Sequence, residues 1–223
     1  MNTDYINLMS FLDKPYSSYN DEAKKQVDHI KYFTGSHDEL GYYEPELTDY
    51  LIDKKARCGR FTSIKPYNKN YFEYWYNSEC QLIKIKHINI NDEYESYDVF
   101  VQNLDSDIFY VFFDYRNPNL DVMLSNIFAL KFDNDRLTSL KKYIKDCYTQ
   151  HIRVRESEYK YQNDKLVSAE IYDDFQHYEF SFFYRDDGSL NSYLLKIGVN
   201  EYTGLVDIKT IKRFEKFGLF HFS

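Results

Sequence analysis

The chain has 223 residues, with 28 Lys and Arg against 36 Asp and Glu, a formal net charge of −8, 43% hydrophobic residues and 29% charged ones. That balance suits one sizeable globular domain with a real core and excludes intrinsic disorder. The acidity argues against a nucleic-acid protein whose affinity comes from phosphate neutralisation, and it permits steering toward a basic partner. Tyrosine and phenylalanine are abundant, 24 and 18, against one Trp and seven Gly, which points to a wide sheet with an aromatic face.

In chain order, residues 1–19 read as an irregular arm that packs Leu8, Phe11 and Leu12. A helix is expected from Asn20, a cap residue followed by acids that suit the dipole. Its apolar face is Ala23, Val27, Ile30 and Phe33, and Gly35 is placed to end it. A second helix is expected from Glu44 and Pro45, with Leu47, Tyr50 and Leu51 inward and Gly59 as its stop. The basic n-region of a signal peptide is absent and no apolar run is long enough to span a membrane, so a cytoplasmic location is expected.

From Arg60 the period changes to two. Residues 71–76, 82–90, 97–102 and 108–115 read as strands at hairpin spacing. Residues 120–132 alternate well enough for another strand, with a helix as the weaker alternative. Asp133-Asn134-Asp135 then opens a helix over 135–148. Leu137, Leu140, Ile144 and Cys147 form its stripe, and Arg136, Lys141, Lys142 and Lys145 face elsewhere. Residues 151–199 read as four strands broken at Gln162-Asn163-Asp164, Asp173-Asp174 and Asp186-Asp187-Gly188-Ser189. The Asp187-Gly188 pair suits a primed hairpin turn. Beyond Gly204, residues 205–217 carry Val206, Ile208, Ile211 and Phe214, a short terminal helix.

The expected fold class is α+β, mostly antiparallel sheet in hairpin meanders, as a single domain. Residues 1–59 form a helical N-terminal part, 60–132 a first strand block, 133–150 a helix packed between strand blocks, and 151–223 a second strand block with the C-terminal segment.

The chemistry-bearing patterns are few. Cys58, Cys80 and Cys147 lack metal or disulfide spacing, so buried reduced thiols are expected. The histidines form no metal motif, and no phosphate-binding glycine loop is present, so neither a metal nor a cofactor is expected. On a strand, His151, Arg153, Arg155, Tyr159 and Tyr161 share one face, which a phosphodiester-acting enzyme could use: a histidine to move a proton and arginines to stabilise phosphorane charge. The simpler reading pairs those arginines with acids on neighbouring strands.

The acidic turns carry more. Asp92, Glu93, Glu95 and Asp98 crowd one stretch with Tyr94 and Tyr97. Asp173 and Asp174 follow Tyr172, and Asp186 and Asp187 follow Tyr184. Carboxylates beside large amphipathic rings suit a surface that covers a basic site, the acids steering and the tyrosines anchoring. The candidate partner-binding set is therefore Asp92, Glu93, Tyr94, Glu95, Tyr97, Asp98, Tyr172, Asp173, Asp174, Asp186 and Asp187, with no catalytic residue.

The aromatic pairs Tyr74-Trp75-Tyr76, Tyr159-Lys160-Tyr161 and Phe182-Phe183-Tyr184 each precede a polar turn and an apolar strand start, at Leu82, Leu166 and Leu190. They resemble the tyrosine-aspartate hairpin repeats of bacterial wall-associated and polymorphic-toxin proteins. In its small, acidic, cofactor-free and aromatic-rich character the chain resembles the immunity proteins of bacterial polymorphic-toxin and contact-dependent growth inhibition systems. That resemblance implies a non-enzymatic inhibitor that occludes the active site of a basic toxin domain, a nuclease being the natural guess. The alternatives are the phosphodiester-acting enzyme on the His151 face and a structural or phage-encoded accessory protein.

Overall fold

The computed structural model describes residues 8, 10–34, 60–91, 96–104, 107–115, 122–133, 136–146, 149, 151–174, 176–188 and 190–205. The chain divides into two compact units: residues 1–38, 59–128 and 143–152, and residues 39–58, 129–142 and 153–223. The expected helix from Glu44 lies outside the described residues, as do 206–217 of the expected terminal helix.

The first unit holds α1 (Tyr16–Gln26), β1 (His29–Thr34), β2 (Arg60–Thr62), β3 (Tyr71–Tyr76), β4 (Leu82–Ile88), β5 (Tyr97–Leu104) and β6 (Asp107–Asp114), with the first part of β7 (Met123–Asp133). Its strands lie in the order β2-β1-β3-β4-β5-β6-β7. The pairings from β2 to β6 are all antiparallel. The four strands expected between 71 and 115 are present and hairpin-paired as their spacing requires.

The expected helix over 20–34 is corrected at both ends. α1 starts at Tyr16 behind Pro15, without a side-chain cap. It stops at Gln26, because Val27 turns extended. Ile30 and Phe33 then belong to β1, whose β-branched and aromatic residues pair with β3 from His29↔Tyr76 to Phe33↔Phe72. Asn20, expected as the cap, is spent on a tertiary contact instead: its Oδ1 accepts from Lys84 Nζ at 2.9 Å. Both faces of the sheet are buried: Phe100, Val111 and Phe113 lie on the face that packs Phe11 and Tyr19, and Phe33, Tyr74, Ile85 and Val99 lie on the other. The Tyr19 ring stacks on Phe100 at 5.3 Å and 27°.

The second unit holds the rest of β7, most of β8 (Arg136–Lys145), β9 (Ile152–Gln162), β10 (Lys165–Tyr172), β11 (His177–Tyr184), β12 (Leu190–Ile197) and β13 (Asn200–Leu205). The strand order follows the sequence, and the β9 to β13 pairings are antiparallel. Within the stretch 120–132, Met123 onward is strand, as the alternation favours; residues 120 and 121 lie outside the described residues.

The helix expected over 135–148 is overturned: Arg136–Lys145 is strand β8, between β7 and β9. Leu137 and Leu140, three apart, are both buried, which imitates a helical stripe. Hydrogen bonds from neighbouring strands hold the segment extended. Thr138 Oγ1 donates to the Lys131 carbonyl at 3.2 Å, and Tyr161 Oη donates to the Leu137 carbonyl at 2.9 Å. Gly204, read as preceding a helix, lies inside β13.

Turn chemistry is placed differently from expectation. Asn163 and Asp164 both have positive φ, 48° and 66°, so the primed turn sits between β9 and β10. At the β11–β12 turn Gly188 is left-handed, φ 85°, the only such residue among the described residues there, with its N–H donating to the Arg185 carbonyl at 2.9 Å. The register shifts next to this turn, between Phe183 and Tyr184, with Asn191 on β12 as the extra residue of a bulge. A Cβ at Gly188 would sit 3.0 Å from Lys165 Nζ. Gly188→Ala is expected to cost about 1–2 kcal/mol, mainly through the left-handed backbone, as read by the denaturation midpoint. Cys80 departs from the buried-thiol expectation, being exposed in the β3–β4 turn with φ 60°. Cys58 and Cys147 lie outside the described residues.

Candidate functional site

Asp98, expected on a docking surface, is fully buried in the first unit. Its Oδ2 accepts from Lys84 Nζ at 2.6 Å, Tyr16 Oη at 2.7 Å and Tyr115 Oη at 3.1 Å. The two phenol oxygens stand 2.7 Å apart. Lys84, itself 2% exposed, lies 4.8 Å from the centre of the Trp75 ring and 4.9 Å from that of Phe100. Burial pulls its ammonium below the ordinary lysine range, and the Asp98 charge opposes that pull. Burial, then the Asp98 charge, drives the Tyr16 and Tyr115 phenols well above theirs. Three elements meet here: Tyr16 and Asn20 from α1, Lys84 from β4 and Asp98 from β5. With Lys84 and Asp98 buried and Tyr16, Asn20 and Tyr115 half-buried around them, the cluster works as a clasp for α1. Tyr97 is also only half-buried, its ring 4.9 Å from His87 and 6.2 Å from Phe112. Asp92, Glu93, Tyr94 and Glu95 lie outside the described residues.

In the second unit the arginines of β9 meet the acids of the β10–β11 turn. Arg153 Nη2 reaches Asp173 Oδ1 at 3.1 Å, and Arg153 Nε reaches Asp174 Oδ2 at 3.5 Å. Arg155 Nε lies 3.8 Å from Asp173 Oδ2, and its guanidinium stands 5.9 Å from the Tyr178 ring centre. The two features that the sequence offers as rival sites thus occupy one cluster. Lys142 of β8 belongs to it and was missed, because the helical reading turned it to solvent. Burial first, then the Arg155 charge, pushes its pKa down to about 8. His151 belongs to the first unit and is exposed ahead of β9, its backbone N–H donating to Thr149 Oγ1 at 3.3 Å.

The opposite face of β9–β11 carries an acidic row. Glu158 pairs with Glu170 and Glu170 with Glu179, three carboxylates in register on adjacent strands. Like charges directly opposite destabilise a sheet. Lys160 binds Glu170, and His177 Nδ1 stands 3.5 Å from Glu179 Oε1. Tyr172 Oη donates to Glu170 Oε2 at 2.6 Å, and the Tyr172 ring stacks on His177 at 4.3 Å and 9°. The bond to Glu170 pushes the Tyr172 pKa up to about 12, helped by the charges of Glu158 and Glu179. Lys160, then Tyr172, lowers that of Glu170. Tyr172 is 43% exposed and Phe183 50%. Asp186 and Asp187 are exposed in the β11–β12 turn. The sequence named Tyr172 but not this row. The row follows from register, which needs the position of the β9–β10 turn and the shift between Leu166 and Ser168.

In the first unit an open groove of about 500 Å³ is lined by Lys14, Tyr16, Phe113, Met123 and Lys145, among others. Among the described residues, no three His, Cys, Asp or Glu side chains are grouped to hold a metal. No helix of the described residues is long and apolar enough to cross a membrane.

No family model, curated protein or solved structure matches the chain.

Proposed function

We propose that the chain is a cytoplasmic, non-enzymatic binding protein of the immunity class, which neutralises a basic toxin domain, a nuclease being the natural case, by covering its active site. The observation that carries this reading is the register-matched row Glu158–Glu170–Glu179 with the exposed Tyr172 ring beside it. Lys160 on Glu170 and Lys196, the register partner of Glu179, offset part of the repulsion among the three carboxylates. A partner bearing lysines and arginines would relieve their repulsion, and the row would steer its approach. Tyr172 offers a large amphipathic surface with a fixed hydroxyl, the type of side chain that anchors interfaces. The face replaces part of the surface that the sequence suggests: Asp98 is withdrawn into the core, and Asp173 and Asp174 pair with arginines.

The test begins with a pull-down from the native host, followed by association kinetics with the captured protein across ionic strengths. For Glu158→Gln/Glu170→Gln/Glu179→Gln, association is expected to slow with a shallower salt dependence, since such charges act through steering. For Tyr172→Ala, dissociation is expected to accelerate, by more than ~2 kcal/mol if the ring is a hot spot. Equal association rates and salt slopes for wild type and triple variant would remove this face from the interface. Purified protein is expected to leave RNA and DNA intact, with or without divalent metal. Nuclease activity lost on His151→Ala in folded protein would establish the enzymatic alternative instead.

A further inference from the structure

We infer that the open groove of the first unit is a binding site for a small amphiphilic monocarboxylate, its apolar body against the groove walls and its head on Lys145. The site does not depend on the proposed inhibitor role. The groove has a volume of about 500 Å³, within the range of about 300–1,000 Å³ usual for small-molecule sites. Its walls are apolar: Leu12 and Pro15 from the segment that leads into α1, Phe113 from β6, and Met123 and Leu124 from β7. The Tyr16 ring joins them, with its hydroxyl spent on Asp98 at 2.7 Å. Burial, then the Asp98 charge, holds that phenol well above its ordinary range, so this wall stays neutral. Such walls take up an apolar body because both surfaces then leave water.

The charge of the lining is one-sided. Lys14 and Lys145 line the groove, and none of the lining residues is acidic. The two lysines differ in their partners. Lys14 Nζ is held by Glu22 Oε2 at 2.6 Å and lies 4.4 Å from the Tyr19 ring centre. Lys145, half-buried at the end of β8, makes no ion pair among the described residues. It also lines a smaller pocket with Leu12, Leu124 and Ile152, where its alkyl stem has apolar neighbours. A lone ammonium beside apolar walls matches one negative charge on an apolar body. A lysine point charge holds a carboxylate without the paired donors of a guanidinium fork. A dianion would lose too much hydration against Met123 and Leu124, and a neutral amphiphile would leave the ammonium unanswered. Ser17, also at the groove, adds a hydroxyl that can donate to the second carboxylate oxygen.

The experiment uses the full chain at pH 7 with octanoate as the probe, octan-1-ol and acetate as controls, and chloride holding the ionic strength constant. In the unmodified sequence octanoate is expected to protect Lys145 saturably from an amine-acylating reagent, read residue by residue by mass spectrometry. Lys25, exposed on α1 and outside the groove lining, is expected to acylate at an unchanged rate. Acetate at the same concentration is expected to protect neither. By calorimetric titration, octanoate is expected to bind about tenfold or more tightly than octan-1-ol, the gain of one charge-assisted contact. Lys145→Gln is expected to remove that preference by weakening octanoate alone. The inference is overturned if octanoate leaves Lys145 acylation unchanged in the wild type, a result independent of how the variant folds. It is equally overturned if octan-1-ol binds as tightly as octanoate, which would make the groove merely apolar, or if acetate protects Lys145 as well, which would make the contact a bare surface charge. Lys145→Gln protein with a native spectrum that keeps the preference for octanoate would overturn it too, by placing the anion on another group.

Discussion

Asp98→Ala is expected to destabilise the first unit by about 3–5 kcal/mol, because it strands the Lys84 ammonium in the interior without its counter-ion. Lys84 is 2% exposed and Asp98 fully buried, so water does not take over the missing contact without opening the structure. The Tyr16 and Tyr115 hydroxyls lose their shared acceptor at the same time. Most domains are stable by only about 5–15 kcal/mol, so the loss is a large part of the total. The reporter is built in: Trp75 is the only tryptophan, and its ring centre stands 4.8 Å from Lys84 Nζ. Its fluorescence in a urea titration reads the midpoint at constant slope. Lys84→Met/Asp98→Leu, which removes both charges, is expected to recover most of the stability, since apolar replacements of a buried pair are often neutral or better. An unchanged midpoint in Asp98→Ala would place Asp98 at the surface. The same arithmetic bears on the interface: neutralising every acid of residues 92–98 would lower binding through unfolding at Asp98, whatever the docking surface is.

The strands were legible between polar turns. Residues 151–199 alternate because their strands have one core side, while 71–115 read as strands from aromatic and β-branched residues between polar turns, their strands being buried on both faces. Two errors share a cause. The stripe Ala23, Val27, Ile30 and Phe33 mixes residues of a helix and a strand, and the stripe Leu137, Leu140 and Ile144 crosses both faces of one strand. Spacing at three and four residues imitates a helix when a strand buries side chains on both sides, and only the neighbouring strands decide. The candidate site was legible in parts. Asp173, Asp174, Arg153 and Arg155 were each singled out, but their meeting depends on β9 and β11 flanking β10. Asp98 was misplaced because an acid among acids reads as solvated, and its partner Lys84 lies on another strand. The Glu158–Glu170–Glu179 row is invisible in any one segment, since its members lie 12 and 9 residues apart in the sequence and adjoin only through register.

Lys142 separates the helical reading from the strand by its response to pH. On a solvent-facing helix its replacement would change little. In β8 it lies against Arg153 and Arg155, and its pKa is lowered from 10.5 to about 8. The folded protein therefore binds its proton more weakly than the unfolded chain. Below pH 8 both states are protonated and the native state carries the full cost of the charge. Between pH 8 and 10.5 the native amine is neutral while the unfolded one still holds its proton, so stability rises with pH. Above 10.5 the cost is gone. Lys142→Met, which keeps a flexible apolar stem, is expected to stabilise the protein at pH 7 by up to about 3 kcal/mol, at 1.36 kcal/mol for each pKa unit. The difference between variant and wild type should shrink through pH 8–10.5 and vanish above it. Urea midpoints of the two proteins at pH 7, 9 and 11 measure it. Parallel curves with no convergence would return Lys142 to solvent and separate it from Arg153 and Arg155.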